Sequence, residues 1–115
     1  MTTPRQAGPA IHPGYAWRLT IDAGTTALFP AGIALAAQFR RRVEDAAVLA
    51  TLSTSDGSIT RVSDSVINLV LPAADTANFE PGTVVADLVR TDLDLAEYLG
   101  IRLQVPVVQP VTREL

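Results

Sequence analysis

Two stretches decide the fold: Ser65-Val66-Ile67-Asn68-Leu69-Val70-Leu71-Pro72 and, beyond a short interval, Thr83-Val84-Val85-Ala86-Asp87-Leu88-Val89. In the first, Ser65, Ile67, Leu69 and Leu71 alternate with Val66, Asn68 and Val70. Period two is the period of a strand, and apolar residues on both alternates make this one apolar on both faces. Pro72 stops it, because a proline has no N–H to give to a ladder. In the second stretch Val84, Ala86 and Leu88 alternate with Val85, Asp87 and Val89, a second strand. Residues 73–79 read as a short helical or irregular crossover between the two, and Pro81-Gly82 as a turn.

Working outward from this pair, Leu99, Ile101, Leu103, Val105 and Val107 alternate with Gly100, Arg102, Gln104 and Pro106, which predicts a long final strand. Pro106 and Pro110 place the end of its pairing there, or put the strand at an edge. Upstream, Asp56-Gly57 lies between Val48–Leu52 and Ile59–Val62, a hairpin signal because Asp-Gly suits the positive φ of a tight turn. Trp17, Leu19 and Ile21 alternate with Arg18, Thr20 and Asp22, a half-buried strand closed by a turn at residues 23–26. Residues 33–52 fit two readings. Ile33, Leu35, Ala37, Phe39 and Val43 suit a strand, whereas Leu35, Phe39, Val43, Ala46 and Ala50 form a helical stripe in Ala-rich sequence. Local pattern leans to helix. The whole comes to about seven strands at short spacing with turn signals between them, the pattern of an all-β sandwich.

Residues 1–15 differ from the rest. Pro4, Gly8, Pro9, Pro13 and Gly14 punctuate them, and Ile11 and Tyr15 are their only sizeable apolar residues after Met1. Such a segment cannot offset its ordering entropy with a core of its own. It reads as an extended N-terminal arm, lying on a neighbouring subunit or packing back on its own domain, with residues 16–115 as the sandwich domain.

Composition narrows the function classes. The chain has 115 residues, 48% of them hydrophobic, a net charge of −3 and six aromatics. One domain of that size builds one core. Few rings and a slight acidity disfavour a ring-walled cofactor pocket and a phosphate-binding face, so no nucleic acid partner is expected. All nine basic residues are arginine, so no lysine amine is available for covalent or base chemistry. Absence of cysteine excludes disulfides and thiolate nucleophiles. The first residues lack the apolar run of a signal peptide, and no stretch is long enough for a membrane helix, so a soluble protein without membrane contact is expected.

Candidate chemistry is sparse. His12, the single histidine, sits between Ile11 and Pro13 with no nucleophile elbow anywhere in the chain, so it reads as a solvent or interface residue. Asp92, Asp94 and Glu97 lack the glycine and distal glutamate of a calcium loop and read as a solvated acidic segment. Asp22 and Asp87 suit turn-capping or pairing with arginine better than paired acid–base work. Asp75 reads as a turn cap, and Trp17 and Phe39 as core anchors. Arg40-Arg41-Arg42 is the one charge run. On a strand Arg40 and Arg42 share a face and Arg41 takes the other, so the run reads first as a solvated, edge-protecting segment and second as a contact to an acidic neighbour. No catalytic, cofactor or metal residue is predicted. The candidate partner contacts are Ile11, His12, Tyr15, Arg40, Arg41 and Arg42.

Four segments carry a resemblance: Phe39-Arg40-Arg41-Arg42, Leu71-Pro72-Ala73-Ala74-Asp75-Thr76, Pro81-Gly82-Thr83-Val84-Val85-Ala86-Asp87-Leu88 and Val111-Thr112-Arg113. Over residues 17–113 their order and spacing resemble the N-terminal domain family of tailed-phage baseplate upper proteins. The resemblance implies an immunoglobulin-like antiparallel β-sandwich serving as a docking module in a virion, and it tips residues 33–52 from helix to strands. In baseplate versions further modules follow, whereas this chain stops two residues after Val-Thr-Arg. The expectation is therefore a non-enzymatic capsid decoration or cement protein of the phage particle, assembled in the host cytoplasm. It would dock on the major capsid protein or other virion proteins, as a homo-oligomer for which a trimer is one option. The alternatives are a tail, baseplate or tail-fibre adaptor of the same fold and, more remotely, a cellular carbohydrate-binding sandwich, which would normally display stacked aromatics.

Overall fold

The computed structural model describes residues 5–7 and 9–112, the first three by their backbone alone. Residues 1–4 and Gly8 of the predicted arm, and Arg113 of the closing Val-Thr-Arg, lie outside the described residues. The described residues form eight strands: β1 (Arg5–Ala7), β2 (Trp17–Asp22), β3 (Leu35–Arg40), β4 (Ala50–Ser53), β5 (Ile59–Arg61), β6 (Val66–Leu71), β7 (Gly82–Arg90) and β8 (Glu97–Val107). One turn of helix, α1 (Ala73–Thr76), follows Pro72 at the corner between β6 and β7.

The strands make a two-sheet sandwich. The larger sheet runs β1-β8-β7-β3-β4, antiparallel except for β1, which is parallel to β8. The smaller runs β2-β6-β5 and is antiparallel throughout. If β2 to β8 are lettered B, C, C′, D, E, F and G, the sheets read G-F-C-C′ and B-E-D, the connectivity of an immunoglobulin-like sandwich.

Alternation builds the core directly. Leu35, Ala37 and Phe39 of β3, Val84, Ala86 and Leu88 of β7, and Leu103, Val105 and Val107 of β8 face Trp17, Ile21, Ile59, Ile67, Leu69 and Leu71 of the small sheet, all buried. Rings bridge the layers: Phe39 meets Trp17 edge-to-face at 5.7 Å and Phe79 at 6.3 Å, arrangements that add to simple area burial. Trp17 and Phe39 are core anchors, as their scarcity implies.

Residues 33–52 are strands and loop, not a helix. Ile33, Leu35, Ala37 and Phe39 all point inward, while Val43 and Ala46 of the helical stripe are exposed. Arg40 closes the following loop, its guanidinium donating to the carbonyls of Asp45 and Ala46, both at 2.8 Å, and to Gln38 Oε1 at 2.7 Å.

One expectation needs correction, and a second is met in only one of its two forms. Asp56-Gly57 is a tight turn, with Gly57 at φ 83°, but the strands it joins are not a hairpin. β4 pairs with β3 and β5 with β6, so the turn passes from one sheet to the other. Serine side chains replace the missing ladder there. The Ser53 N–H donates to Ser58 Oγ at 2.8 Å, and the Ser58 N–H donates to Asp56 Oδ1 at 2.9 Å. Nor does β8 lie at an edge, although its pairing ends, as expected, between the two prolines at Val107, one residue past Pro106. Pro106 pairs with Thr83 on one side, and on the other its carbonyl accepts from the Ile11 N–H at 2.8 Å. N–H and C=O of a strand residue point the same way, so the donor that proline lacks would have faced the arm and not β7.

The described part of the arm lies on its own domain. Ile11 forms a parallel bridge to Val107, completed by Val108 N–H donating to the Ile11 carbonyl at 2.9 Å. Its side chain has no exposed surface. Trp17 Nε1 donates to the Pro9 carbonyl at 2.7 Å. Thr76, a polar residue buried in the core, donates its hydroxyl to the Tyr15 carbonyl at 2.7 Å and accepts from the Gly14 N–H at 3.2 Å. Replacing Ile11 by alanine is expected to lower unfolding free energy by about 2–5 kcal/mol in urea titrations, the cost of a core truncation. A loss below ~0.5 kcal/mol would mean that the arm is no part of the core.

Candidate functional site

Beyond Val107 the chain turns back over the end of the arm, and the two segments enclose an open, largely apolar groove. His12, Tyr15, Gln109, Pro110, Val111 and Thr112 line about 470 Å³ of it. Its shape is held by hydrogen bonds between segments remote in sequence. His12 Nδ1 donates to the Val108 carbonyl at 3.0 Å, which places a proton on Nδ1. The Tyr15 hydroxyl donates to the Thr112 carbonyl at 2.6 Å. Around the groove Val111 is 95% exposed, Val108 48% and Tyr15 37%. Isolated exposed apolar residues mean little, but a cluster about a groove is the form of a docking surface.

Of the six candidate contacts, the structure brings His12 and Tyr15 together here. Ile11 does not belong with them: it is wholly buried under its own β8 and has no surface for a partner. The arginine run is elsewhere and mostly committed within the chain. Arg40 holds the β3–β4 loop. Arg41 reaches across to the turn before β7, donating to the carbonyls of Glu80 at 2.7 Å and Thr83 at 3.3 Å. It can lie there because Gly82 has no side chain; a Cβ at that position would sit 2.7 Å from the Arg41 guanidinium. Of the three, Arg40 and Arg41 are half-buried and Arg42 is exposed.

Val108, Pro110, Val111 and Thr112 were not singled out as contacts from the sequence, although Val111 and Thr112 belong to its closing motif. The available signal was two valines lying past the end of the last alternating strand, where no core remains for them to enter. A second concave region lies on the outer face of the larger sheet, where Gln38, Arg40, Asp87 and Arg102 line a small cleft and Ala36, Thr51 and Val89 continue it. Asp87 and Arg102 are register partners there.

Two of the acidic residues considered from sequence, Asp22 and Asp92, are held by hydrogen bonds within the chain. Asp22 caps its turn by accepting from the Gly24 N–H at 2.8 Å. Asp92 accepts a forked contact from Arg90, 2.8 Å to Nε and 3.0 Å to a terminal nitrogen, and a bond from the Ala34 N–H at 3.3 Å. Among the described residues no three His, Asp or Glu side chains converge as a metal site requires. No protein-family model matches the chain, and no curated protein sequence matches it significantly.

The Arg90 guanidinium holds the Asp92 carboxyl at about 2, below the ordinary carboxylate range. Hydrogen bonds from Ser58 lower Asp56 likewise. A carboxyl depressed in the folded state binds fewer protons there than when unfolded, so its stabilisation is full above about pH 4–5 and fades as pH falls toward 2. Thermal melts of Asp92→Asn should therefore vary less with pH between about 5 and 2 than those of the wild type. Equal pH slopes would remove the pair from the acid response.

Proposed function

We propose that the protein is a non-enzymatic structural component of a tailed-phage particle, a capsid decoration or cement protein that docks on the major capsid protein. The observation that carries this reading is the groove of His12, Tyr15, Pro110 and Val111, an exposed apolar cluster on a domain whose other described apolar side chains mostly enter one core. The resemblance of the ordered motifs to those of baseplate upper proteins is what suggests a virion context, and the immunoglobulin-like connectivity suits a docking module. The side chains favour binding over chemistry. His12 is occupied by a backbone carbonyl, and the serines at 53, 55 and 58 bond to one another and to Asp56, whose carboxyl those hydrogen bonds lower and so make a weak base.

Val111 is the residue to change, since at 95% exposure its replacement leaves the fold alone. Val111→Asp is expected to keep the melting temperature of the wild type yet lower occupancy on purified particles roughly tenfold, the worth of one lost apolar anchor. Quantitative mass spectrometry of particles separated into heads and tails reads both occupancy and place. Absence of the wild-type chain from particles sinks the proposal, and its recovery with tails alone replaces the capsid role by that of a tail adaptor.

A further inference from the structure

Strand β2 is the longest edge strand of the sandwich, with six residues against three, four and three for β1, β4 and β5. In an immunoglobulin-type B-E-D sheet, strand A normally covers strand B. Here the N-terminal strand pairs with β8 in the other sheet, and among the described residues nothing pairs with the outer side of β2.

The groups on that edge can be assigned. Val70 N–H donates to the Ser58 carbonyl on the β5 side, so even-numbered residues of β6 face β5 and odd-numbered ones face β2. The register pairs Leu71, Leu69 and Ile67 with Trp17, Leu19 and Ile21, which therefore exchange hydrogen bonds with β6. Backbone N–H and C=O groups of Arg18, Thr20 and Asp22 point outward, and all three side chains are exposed. The strand has no proline, glycine or bulge to blunt it.

Its charges are self-complementary. Antiparallel pairing of β2 with a second β2 about a two-fold axis at Thr20 sets Arg18 of each copy opposite Asp22 of the other and Thr20 opposite Thr20. Every outward N–H and C=O of the three residues then finds a partner. On the inner face half-buried Leu19 comes opposite Ile21, extending the core across the seam. Centring the axis on Arg18 or Asp22 would instead oppose like charges. Only one Asp22 carboxylate oxygen accepts from its own turn, from the Gly24 N–H, which leaves the other for this contact.

We propose that β2 is a homodimerisation edge, through which two copies join their three-stranded sheets into one continuous sheet around Thr20. The pairing is isologous. It goes beyond the docking role and uses none of the groove residues, so either can fail without the other.

Sedimentation equilibrium of the full chain tests it. The wild type should approach twice its 12.2 kDa mass as concentration rises. Arg18→Asp places carboxylates opposite each other at both ends of the seam and should raise the dimer dissociation constant at least about tenfold, with an unchanged melt of the monomer. The double swap Arg18→Asp/Asp22→Arg restores opposite charges and should return the dissociation constant to within about threefold of the wild type. A wild type that stays monomeric overturns the proposal, as does Arg18→Asp dimerising like the wild type. Failure of the swap to rescue overturns the Thr20-centred register.

Discussion

The pair of hydrogen bonds that sets Ile11 beside Val107 determines how the rest of the molecule is used. An N-terminal segment rich in proline and glycine has few apolar residues with which to hold itself, and here it spends the best of them, Ile11, on β8. That choice turns β8 into an interior strand. It makes Pro106 harmless, because the side of β8 that lacks an N–H faces a neighbour that needs only its carbonyl. It also leaves Tyr15 and His12 at the point where the chain emerges from β8, and so creates the groove.

The same economy governs the polar groups. A sandwich has little room between its sheets for polar side chains, and the structure places one of them, Thr76, in the described core with its hydroxyl fully used. Other corners are held by side chains standing in for absent backbone partners: Ser58 and Asp56 at the sheet-to-sheet turn, Arg40 around the β3–β4 loop, Arg41 across the turn before β7. Each binds carbonyls or amides that a regular ladder would have satisfied. The arginine run is thus mainly a pair of struts bonded within the chain, with Arg42 the most exposed of the three.

Alternation made most of the fold legible in the sequence: β2, β3, β6, β7 and β8 each place their odd or even residues inward as the pattern predicts. Two features were not legible for physical reasons. The periodicity of residues 33–52 satisfies helix and strand equally, and only the partners in β7 and β4 decide between them, which is non-local information. The chemistry of Asp56-Gly57 fixes a reversal of the chain and a positive φ, but not which sheet receives the next strand. The groove was half legible. His12 and Tyr15 were candidate contacts, yet their companions Val108 and Val111 belong to no periodic pattern. Ile11 was assigned outward because an isolated apolar residue in a Pro/Gly segment carries no sign of the strand it will join.

The groove and the open edge of β2 follow from one allocation. Had the arm covered β2, as strand A does in the A-B-E-D arrangement, β8 would have lost its parallel neighbour and the C-terminal segment its scaffold. Holding the arm on β8 costs about 1–2 kcal/mol of backbone entropy per ordered residue. Burial of Ile11 returns about 1.5–3 kcal/mol, and each backbone bond about 0.5–1.5 kcal/mol. No single contact offsets that cost, so the bonds of Trp17 to Pro9, Thr76 to Tyr15 and His12 to Val108 must act together. A contact surface assembled from such mutually dependent pieces keeps its shape only while the arm stays docked, and the exposed edge of β2 is the structural consequence of docking it there.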